Sequence, residues 1–325
     1  MIGEFLVLLF LLTVAAALLS YGAEPFSEKL GAHFAGSILL ALITTLPEYL
    51  VVFWACMDGD YGMAIGSAVG ACSILITLGY GLVILFATTR VSRRPVEKVE
   101  LTPGTRIDAV YLMVTAVIAI LLAWEGNGFD LKDGIILAVL FVVYVIQVSR
   151  RAVLFARSNH ENSAQPTKKK LLLATAFLLV GGVTVFFLSK LFVDSMSVLA
   201  EAFGISTMAI SIILSPLASE MPEKITAYIT VIRNGRLAEI SVCNFIGSKI
   251  NHNSLLLALL PIVAFAKHET AVSGIISLPF VLMTALTVFA AASIARRKLA
   301  RSQGVVFVVL YGLVILGAYM VRQPL

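Results

Sequence analysis

The chain alternates long apolar runs with short polar loops along its whole length. A helix needs about 20 apolar residues to cross the hydrocarbon core of a membrane. The runs predict about ten membrane-spanning helices, at residues 2–20, 30–56, 62–87, 107–124, 134–149, 169–191, 204–232, 238–265, 271–294 and 304–322. The first run carries Glu4 and lacks a basic leading segment, so we expect a retained span rather than a cleaved signal peptide.

Composition supports a membrane protein. Charged residues make up 13% of the chain, hydrophobic residues 59%, and the mean hydropathy is +0.98. A soluble domain is about one quarter charged, so this chain has too few polar side chains to cover a soluble globule. We therefore predict an all-α polytopic membrane protein. The net charge of +5 lies in loops between spans, and no nucleic-acid partner is expected.

The loops alternate in charge. The basic loops carry Arg90, Arg93, Arg94 and Lys98; Arg150, Arg151, Arg157 and Lys168 to Lys170; Arg233 and Arg236; and Arg296, Arg297, Lys298 and Arg301. The intervening loops are acidic or nearly neutral and carry Asp58 and Asp60; Glu125, Asp130 and Asp133; Asp194 and Glu201; and Lys267 and Glu269. Lysine and arginine are enriched in cytoplasmic loops. Ten spans then place both termini outside, and we expect the plasma membrane of a prokaryote.

The longest polar segment follows the fifth span, so five spans precede it and five follow. An odd number of spans in each half gives the two halves opposite orientations, which is the topology of many secondary transporters. We predict two inverted five-helix repeats, at residues 1–150 and 169–325, and a cytoplasmic linker at 151–168.

One motif recurs at equivalent places in the two halves. Residues 44–48 of the second span read Thr-Thr-Leu-Pro-Glu, and residues 219–223 of the seventh read Ser-Glu-Met-Pro-Glu. In the spans that follow, residues 66–70 read Gly-Ser-Ala-Val-Gly and residues 243–248 read Cys-Asn-Phe-Ile-Gly-Ser. The recurrence supports an internal repeat.

The motif has the chemistry of a cation site. Proline inside a helix removes a hydrogen bond and kinks or breaks the helix. The carbonyls at 41–44 and 216–219 would then be free to act as cation ligands, and carboxylate oxygens are ligands that hard cations prefer. An intramembrane carboxylate costs at least ~2.5–3.5 kcal/mol, so we predict that Glu48 and Glu223 line an ion path. Glycines in the next span would allow it to approach closely.

The motifs resemble those of the cation/calcium exchanger superfamily, which includes the sodium/calcium exchangers. The family's two α-repeats read roughly G-T-S-x-P-E and then G-N-x-x-G-S-N-x-x-N, and here they correspond to residues 41–75 and 216–252. The resemblance implies one central site at the repeat interface, with Glu48 and Glu223 as the principal metal ligands. It also implies alternating access by sliding of the first and sixth spans. The ion ligands that it implies are Thr44, Thr45, Glu48, Ser219, Glu220, Glu223, Ser248 and His252.

The sequence departs from the family pattern at five positions. Ala71 and Leu75 replace ligating residues of the first repeat and cannot bind a cation. Glu220 replaces a hydroxyl, His252 replaces an amide or acid, and Lys249 replaces an asparagine. These departures predict the family's architecture with an altered ion chemistry.

Three of these residues have alternative interpretations. Glu220 is either an ion ligand or the ion-pair partner of Lys249 or Lys224. His252 is either a satisfied polar group or a ligand whose titration near neutral pH suits proton coupling. Lys249 either extends to the membrane interface or pairs with Glu220, and a third interpretation makes it a tethered cation that replaces a bound sodium.

We predict a secondary active cation antiporter, similar to a sodium/calcium exchanger, that moves calcium or another divalent cation by alternating access through a central carboxylate site. We expect no enzymatic activity and no cofactor, and the sequence has no Gly-x-x-x-x-Gly-Lys phosphate loop. The expected partners are membrane lipid and inorganic cations; the oligomeric state is not predicted. Three alternatives remain open, and one of them is a channel, although nothing in the sequence resembles a filter loop. A cation/proton exchanger is favoured by Glu220 and His252, and a non-transporting scaffold or sensor is favoured by Ala71 and Leu75.

Overall fold

A computed structural model describes residues 2–30, 42–158 and 167–320 of the chain. The start of the second span, Ala41 included, and residues 159–166 of the predicted linker lie outside the described residues, whereas residues 151–158 of that linker belong to a helix. The helices of the first half are α1 Ile2–Leu30, α2 Leu46–Met57, α3 Tyr61–Ile74, α4 Tyr80–Thr88, α5 Thr105–Gly126 and α6 Leu131–Ser158. Those of the second half are α7 Lys168–Phe203, α8 Thr207–Ser219, α9 Met221–Arg233, α10 Ala238–Asn251, α11 Leu257–Ala266, α12 Leu278–Ala295 and α13 Arg301–Met320.

The helices confirm the predicted all-α membrane fold. Within the described residues, eight continuous helical stretches are long and apolar enough to cross a membrane. The shorter apolar helices α2 and α8 belong to the second and seventh spans, which are interrupted. Together these segments account for the ten predicted spans.

The first and sixth spans are longer than their apolar runs suggested. Helix α1 has 29 residues and α7 has 36, whereas the predicted spans ended at residues 20 and 191. A helix with the length of α7 extends about 54 Å at 1.5 Å per residue. It must tilt or project from a hydrocarbon core about 30 Å thick. The two helices pack along each other, with Gly22 close to Ala174 and Gly181 close to Leu19.

Two short antiparallel strand pairs connect loops at the ends of the spans. Strand β1 (Lys98–Glu100) pairs with β4 (Lys298–Ala300), and β2 (Gly128–Asp130) pairs with β3 (Ala271–Ser273). The prediction that residues 271–273 begin the ninth span is therefore wrong, because they form β3. The first pair joins two basic loops and the second joins two loops from the acidic or nearly neutral set, as the charge alternation requires.

The interrupted helices break at equivalent positions in the two repeats. A turn at Thr45 precedes α2, and Glu220 lies between α8 and α9. Pro47 and Pro222 lie in the first turn of the helix that follows each break. A first-turn proline leaves no helical hydrogen bond unmade. The motif therefore ends one helix and starts another, instead of merely bending a continuous helix.

The next span of each repeat contains a π-helical turn. These turns are π1 (Leu75–Gly79) between α3 and α4, and π2 (His252–Leu256) between α10 and α11. Their first residues are the equivalent positions of the repeated motif. In each turn a hydroxyl bonds back to a carbonyl at 2.5 Å, from Thr77 to Ser73 and from Ser254 to Ile250. The repeat therefore extends from sequence to local backbone geometry, and π turns occur frequently at functional sites.

Candidate ion-binding site

Glu220 lies at the centre of the buried polar cluster. Its side chain is only 1% exposed, and its Oε2 atom accepts a hydrogen bond from the Lys224 ammonium group at 2.5 Å. The backbone N–H of Lys224 also donates to the Glu220 carbonyl at 3.2 Å. Of the two ion-pair partners that the sequence left open, the structure selects Lys224.

The other two motif carboxylates lie on either side of Glu220. Glu48 is 1% exposed and lies beside the Ser219 hydroxyl and the Glu220 carboxyl group, while its Oε2 atom has no hydrogen-bond partner among the described residues. Glu223 is half-buried and experiences the charges of both Glu220 and Lys224. The cluster therefore joins the break in one repeat to the break in the other.

Two neighbours on α10 hold the Glu223 carboxylate. Asn244 Nδ2 donates to Glu223 Oε1 at 2.6 Å, and Ser248 Oγ donates to the same oxygen at 3.0 Å. Neither of these two donors engages the second carboxylate oxygen. Ser248 thus contacts the cluster, as predicted, and Asn244 joins it although no role was predicted for it.

His252 is fully buried at the start of π2. Its Nε2 atom lies 3.6 Å from Glu220 Oε1. Within the part of the chain that the structure describes, that oxygen and both ring nitrogens of His252 lack a hydrogen-bond partner. The buried imidazole thus faces a carboxylate, and both interpretations of His252, as a satisfied polar group and as a ligand, stay predictions.

The Thr45 hydroxyl of the first repeat belongs to a hydrogen-bond chain with Asn251 and Tyr49. Asn251 donates to Thr45 Oγ1 at 3.1 Å and accepts from the Tyr49 hydroxyl at 2.6 Å. Thr44 is buried beside this chain, at the end of the helical turn before the break. The chain links α10 of the second repeat directly to the break in the first.

Three of the carbonyls next to the breaks accept a hydrogen bond within the protein. The Pro216 carbonyl accepts the Glu220 N–H at 3.1 Å, and the Ala218 carbonyl accepts the Thr13 hydroxyl at 3.3 Å. Thr45 similarly donates to the Leu42 carbonyl at 3.3 Å. A carbonyl oxygen has two lone pairs, so one accepted hydrogen bond leaves each of the three able to bind a cation, and the prediction that they are cation ligands stays a prediction. Ser219 also bonds internally, through its hydroxyl to the Ser215 carbonyl at 2.9 Å.

Lys249 is buried completely, and its ammonium group donates to Asn253 Oδ1 at 2.6 Å. The predictions that it extends to the interface or hydrogen-bonds to Glu220 are therefore wrong. Cys72 lies beside this pair. The run from Ser248 to Ser254 is unusually polar for a buried span, and this was the one sequence signal that indicated buried polar contacts here. It did not identify Asn251 or Asn253 individually.

Glycines of α3 let this helix lie directly against α8 of the other repeat. A Cβ atom added at Gly66 would meet the Met208 backbone and Ser211, and one added at Gly70 would meet the Ile212 backbone. The Ser67 and Ser215 hydroxyls are 2.5 Å apart in the same interface. The predicted close approach is confirmed for the first repeat. At Gly247, the equivalent position in the second repeat, an added Cβ would meet only the Tyr144 hydroxyl, at 3.9 Å, among the described residues.

The cluster combines carboxylate, hydroxyl and amide oxygens, which are the donors that hard cations prefer. No group of three or more histidine, cysteine or acidic side chains within the described residues forms a ready metal cage. Ala71 and Leu75 are buried and provide no ligand, as predicted. The inverted repeats, the paired helix breaks and the buried carboxylates together define a polytopic membrane transporter fold.

The chain belongs to the sodium/calcium exchanger protein family, whose model matches residues 1–149 and 173–320. It is 27% identical over 303 residues to the uncharacterized membrane protein MJ0091 of Methanocaldococcus jannaschii, covering 90% of this chain and 92% of that protein. It is also 26% identical to the inner membrane protein YrbG of Escherichia coli, over 69% of this chain and 67% of that protein. The family assignment agrees with the motifs at both helix breaks.

Solved structures share the fold. The H⁺/Ca²⁺ exchanger CAX matches with a TM-score of 0.81 at 22% identity, covering 97% of this chain and 81% of that one. The sodium-calcium exchanger NCX_Mj matches with a TM-score of 0.67 at 22% identity, covering 99% of this chain and 98% of that one. The chain is therefore a multi-pass membrane protein with the inverted-repeat fold of cation exchangers.

Proposed function

We propose that the protein is a secondary active antiporter of the sodium/calcium exchanger type, which moves calcium or another divalent cation in exchange for sodium. The observation that carries this proposal is the convergence of Glu48, Glu220 and Glu223 where helices of both repeats break. Buried carboxylates in a membrane are costly unless a cation or a proton balances them. Oxygen ligands on helices of both repeats also give a bound cation contacts that a movement of one repeat against the other can change.

The alternating-access movement that we propose is a slide of α1 and α7 across the other spans. These two helices pack extensively along each other, which supports their movement as a unit. Thr13 of α1 contacts the Ala218 carbonyl immediately before the second break, so the sliding pair touches the site. We further propose that both termini face the outside of a prokaryotic plasma membrane.

Coupling to protons is a second candidate within the same fold. It is favoured by His252, whose ring nitrogens have no hydrogen-bond partner among the described residues and whose Nε2 atom faces Glu220 at 3.6 Å. Histidine is the side chain that ordinarily changes charge near neutral pH. The H⁺/Ca²⁺ activity named for the similar structure CAX supports including this candidate.

Ion flux in proteoliposomes tests the proposal. Calcium, magnesium and manganese uptake would be measured separately against sodium and proton gradients. Glu48→Gln and Glu223→Gln are each expected to reduce uptake to the level of empty vesicles, because each removes an anionic oxygen ligand while preserving side-chain size. Glu201→Gln, at an exposed position, is the matched control and should retain wild-type uptake.

Two results would contradict the proposal. Near-normal uptake by Glu48→Gln or Glu223→Gln would remove that residue from the central site. An absence of flux under every gradient, with well-folded wild-type protein, would instead favour the scaffold or sensor alternative.

A further inference from the structure

The Glu220–Lys224 pair has a neutral equivalent in the first repeat. The repeated motif aligns Glu220 with Thr45, and Lys224 with Tyr49. Thr45 and Tyr49 are both hydroxyl-bearing and are joined through the amide of Asn251. The second repeat therefore carries an additional anion and an additional cation at the two positions where the first repeat carries none.

The additional cation is held firmly within the carboxylate cluster. The Lys224 ammonium and Glu220 carboxylate are 2.5 Å apart, and each side chain is 1% exposed. Their four-residue spacing places both on one face at the start of α9. The charge of Lys224 also reaches Glu223. The charge of Glu220 also reaches Lys249, but the ammonium group of Lys249 donates its hydrogen bond to the neutral amide of Asn253.

We propose that the Lys224 ammonium group is a fixed cation that fills a cation subsite at Glu220. This inference rests on the proposed cation site. Glu220 is then neutralised within the protein, and Glu48 and Glu223 remain to balance mobile charge. Two carboxylates balance one divalent cation, so among the described residues of the cluster no anionic side chain is left over for an additional sodium ion.

Removing the ammonium should create a sodium site. Lys224→Met retains the length of the side chain but leaves Glu220 buried without its counter-ion, which is strongly unfavourable. Binding of Na⁺ at Glu220 removes that penalty. We expect the purified variant to bind one more Na⁺ than wild type, with affinity for Na⁺ at this subsite raised by about a hundredfold or more.

Sodium binding is measured directly on detergent-purified protein, by equilibrium binding of ²²Na⁺ and by thermal melting in NaCl or choline chloride. A ligand that binds only the folded state raises the melting temperature with its concentration. NaCl should therefore stabilise Lys224→Met more than choline chloride does. The double variant Glu220→Gln/Lys224→Met removes both charges and should return to wild-type Na⁺ binding. Lys132→Met, which breaks an exposed ion pair with Glu125, controls for loss of a lysine.

Equal Na⁺ binding by wild type and Lys224→Met would overturn the proposal, as would additional binding that persists in the double variant. If Lys224→Met does not fold in choline chloride, NaCl should restore the folded protein; failure to do so also overturns it. These measurements require no transport. A lack of flux in the wild type would thus refute the exchanger function and leave the fixed-cation proposal to be decided by binding.

Discussion

The contact between Gly70 and α8 provides a sharp test of how the two repeats are held together. A Cβ atom at position 70 would lie 2.7 Å from the Cα and 2.8 Å from the carbonyl carbon of Ile212. Both are backbone atoms, so no rotation of a side chain can make room. The substitution Gly70→Ala therefore requires the whole of α3 to move away from α8.

The stability lost to steric overlap can be separated from the stability gained through helix propensity. Overpacking of this kind costs about 1–3 kcal/mol. Replacing a helical glycine by alanine also gains about 1 kcal/mol in propensity. Gly312→Ala in α13 is the matched control, because Gly312 is exposed and has no described atom within 4 Å of an added Cβ. Both variants share the propensity gain, so their difference isolates the steric cost.

Thermal melting of the two variants in the same detergent measures this difference. At about 2–4 °C per kcal/mol, Gly70→Ala should melt about 2–12 °C below Gly312→Ala. Separation of the helices would also break the hydrogen bond between the Ser67 and Ser215 hydroxyls. It would displace α8, the helix that leads to Glu220. Divalent-cation binding should therefore weaken in Gly70→Ala alone. If Gly70→Ala and Gly312→Ala have equal melting temperatures and bind cations equally, the close packing of α3 against α8 does not support the site.

Three further predictions concern the hydrogen-bond chain, the proton path and the topology. Tyr49→Phe leaves Asn251 Oδ1 without its donor, so it should destabilise the protein by about 1–3 kcal/mol in a detergent melt, and unchanged stability would contradict the linking role. His252→Ala should remove the dependence of divalent flux on an imposed proton gradient, because its imidazole faces Glu220, whereas wild-type flux that ignores the proton gradient and strictly requires sodium would remove that role. Cysteines introduced at Gly126 and Gln303 should be labelled from opposite sides of the membrane, the latter from the cytoplasm; labelling of both from one side would contradict the span order.

The location of the helix breaks was predictable because it depends on a short local motif, a proline followed directly by a glutamate. Proline in the first turn and a carboxylate directly after it specify the start of a helix wherever they occur. The equivalent positions of Pro47 and Pro222 then required the same interruption in both repeats. The lengths of α1 and α7 were not predictable in this way, since a count of apolar residues stops at Ser20 and Leu191 while the helical hydrogen bonds continue through polar residues.

The π turns had no local signal in the sequence. Leu75 begins one and His252 begins the other, although the two side chains share neither polarity nor shape. An additional residue in a helical turn depends on how the whole span packs against its neighbours. The hydrogen-bond chain from Thr45 through Asn251 to Tyr49 was unpredictable for the same reason, because its members are about 200 residues apart and meet only through the fold.

The net charge of the site depends on which lysine pairs with Glu220, and the spacing of the residues in the sequence does not decide this. Both Lys224 and Lys249 were available as partners of Glu220, and both side chains are long enough to reach several positions. In the structure Lys224 donates a hydrogen bond to the Glu220 carboxylate, and Lys249 donates one to the side-chain amide of Asn253. A motif comparison counts three carboxylates in the cluster, whereas the geometry of the described residues leaves only Glu48 and Glu223 without a lysine hydrogen-bonded to them. Ion stoichiometry in this chain should therefore follow from the lysine positions, which lie outside the Pro-Glu motif that identifies the site.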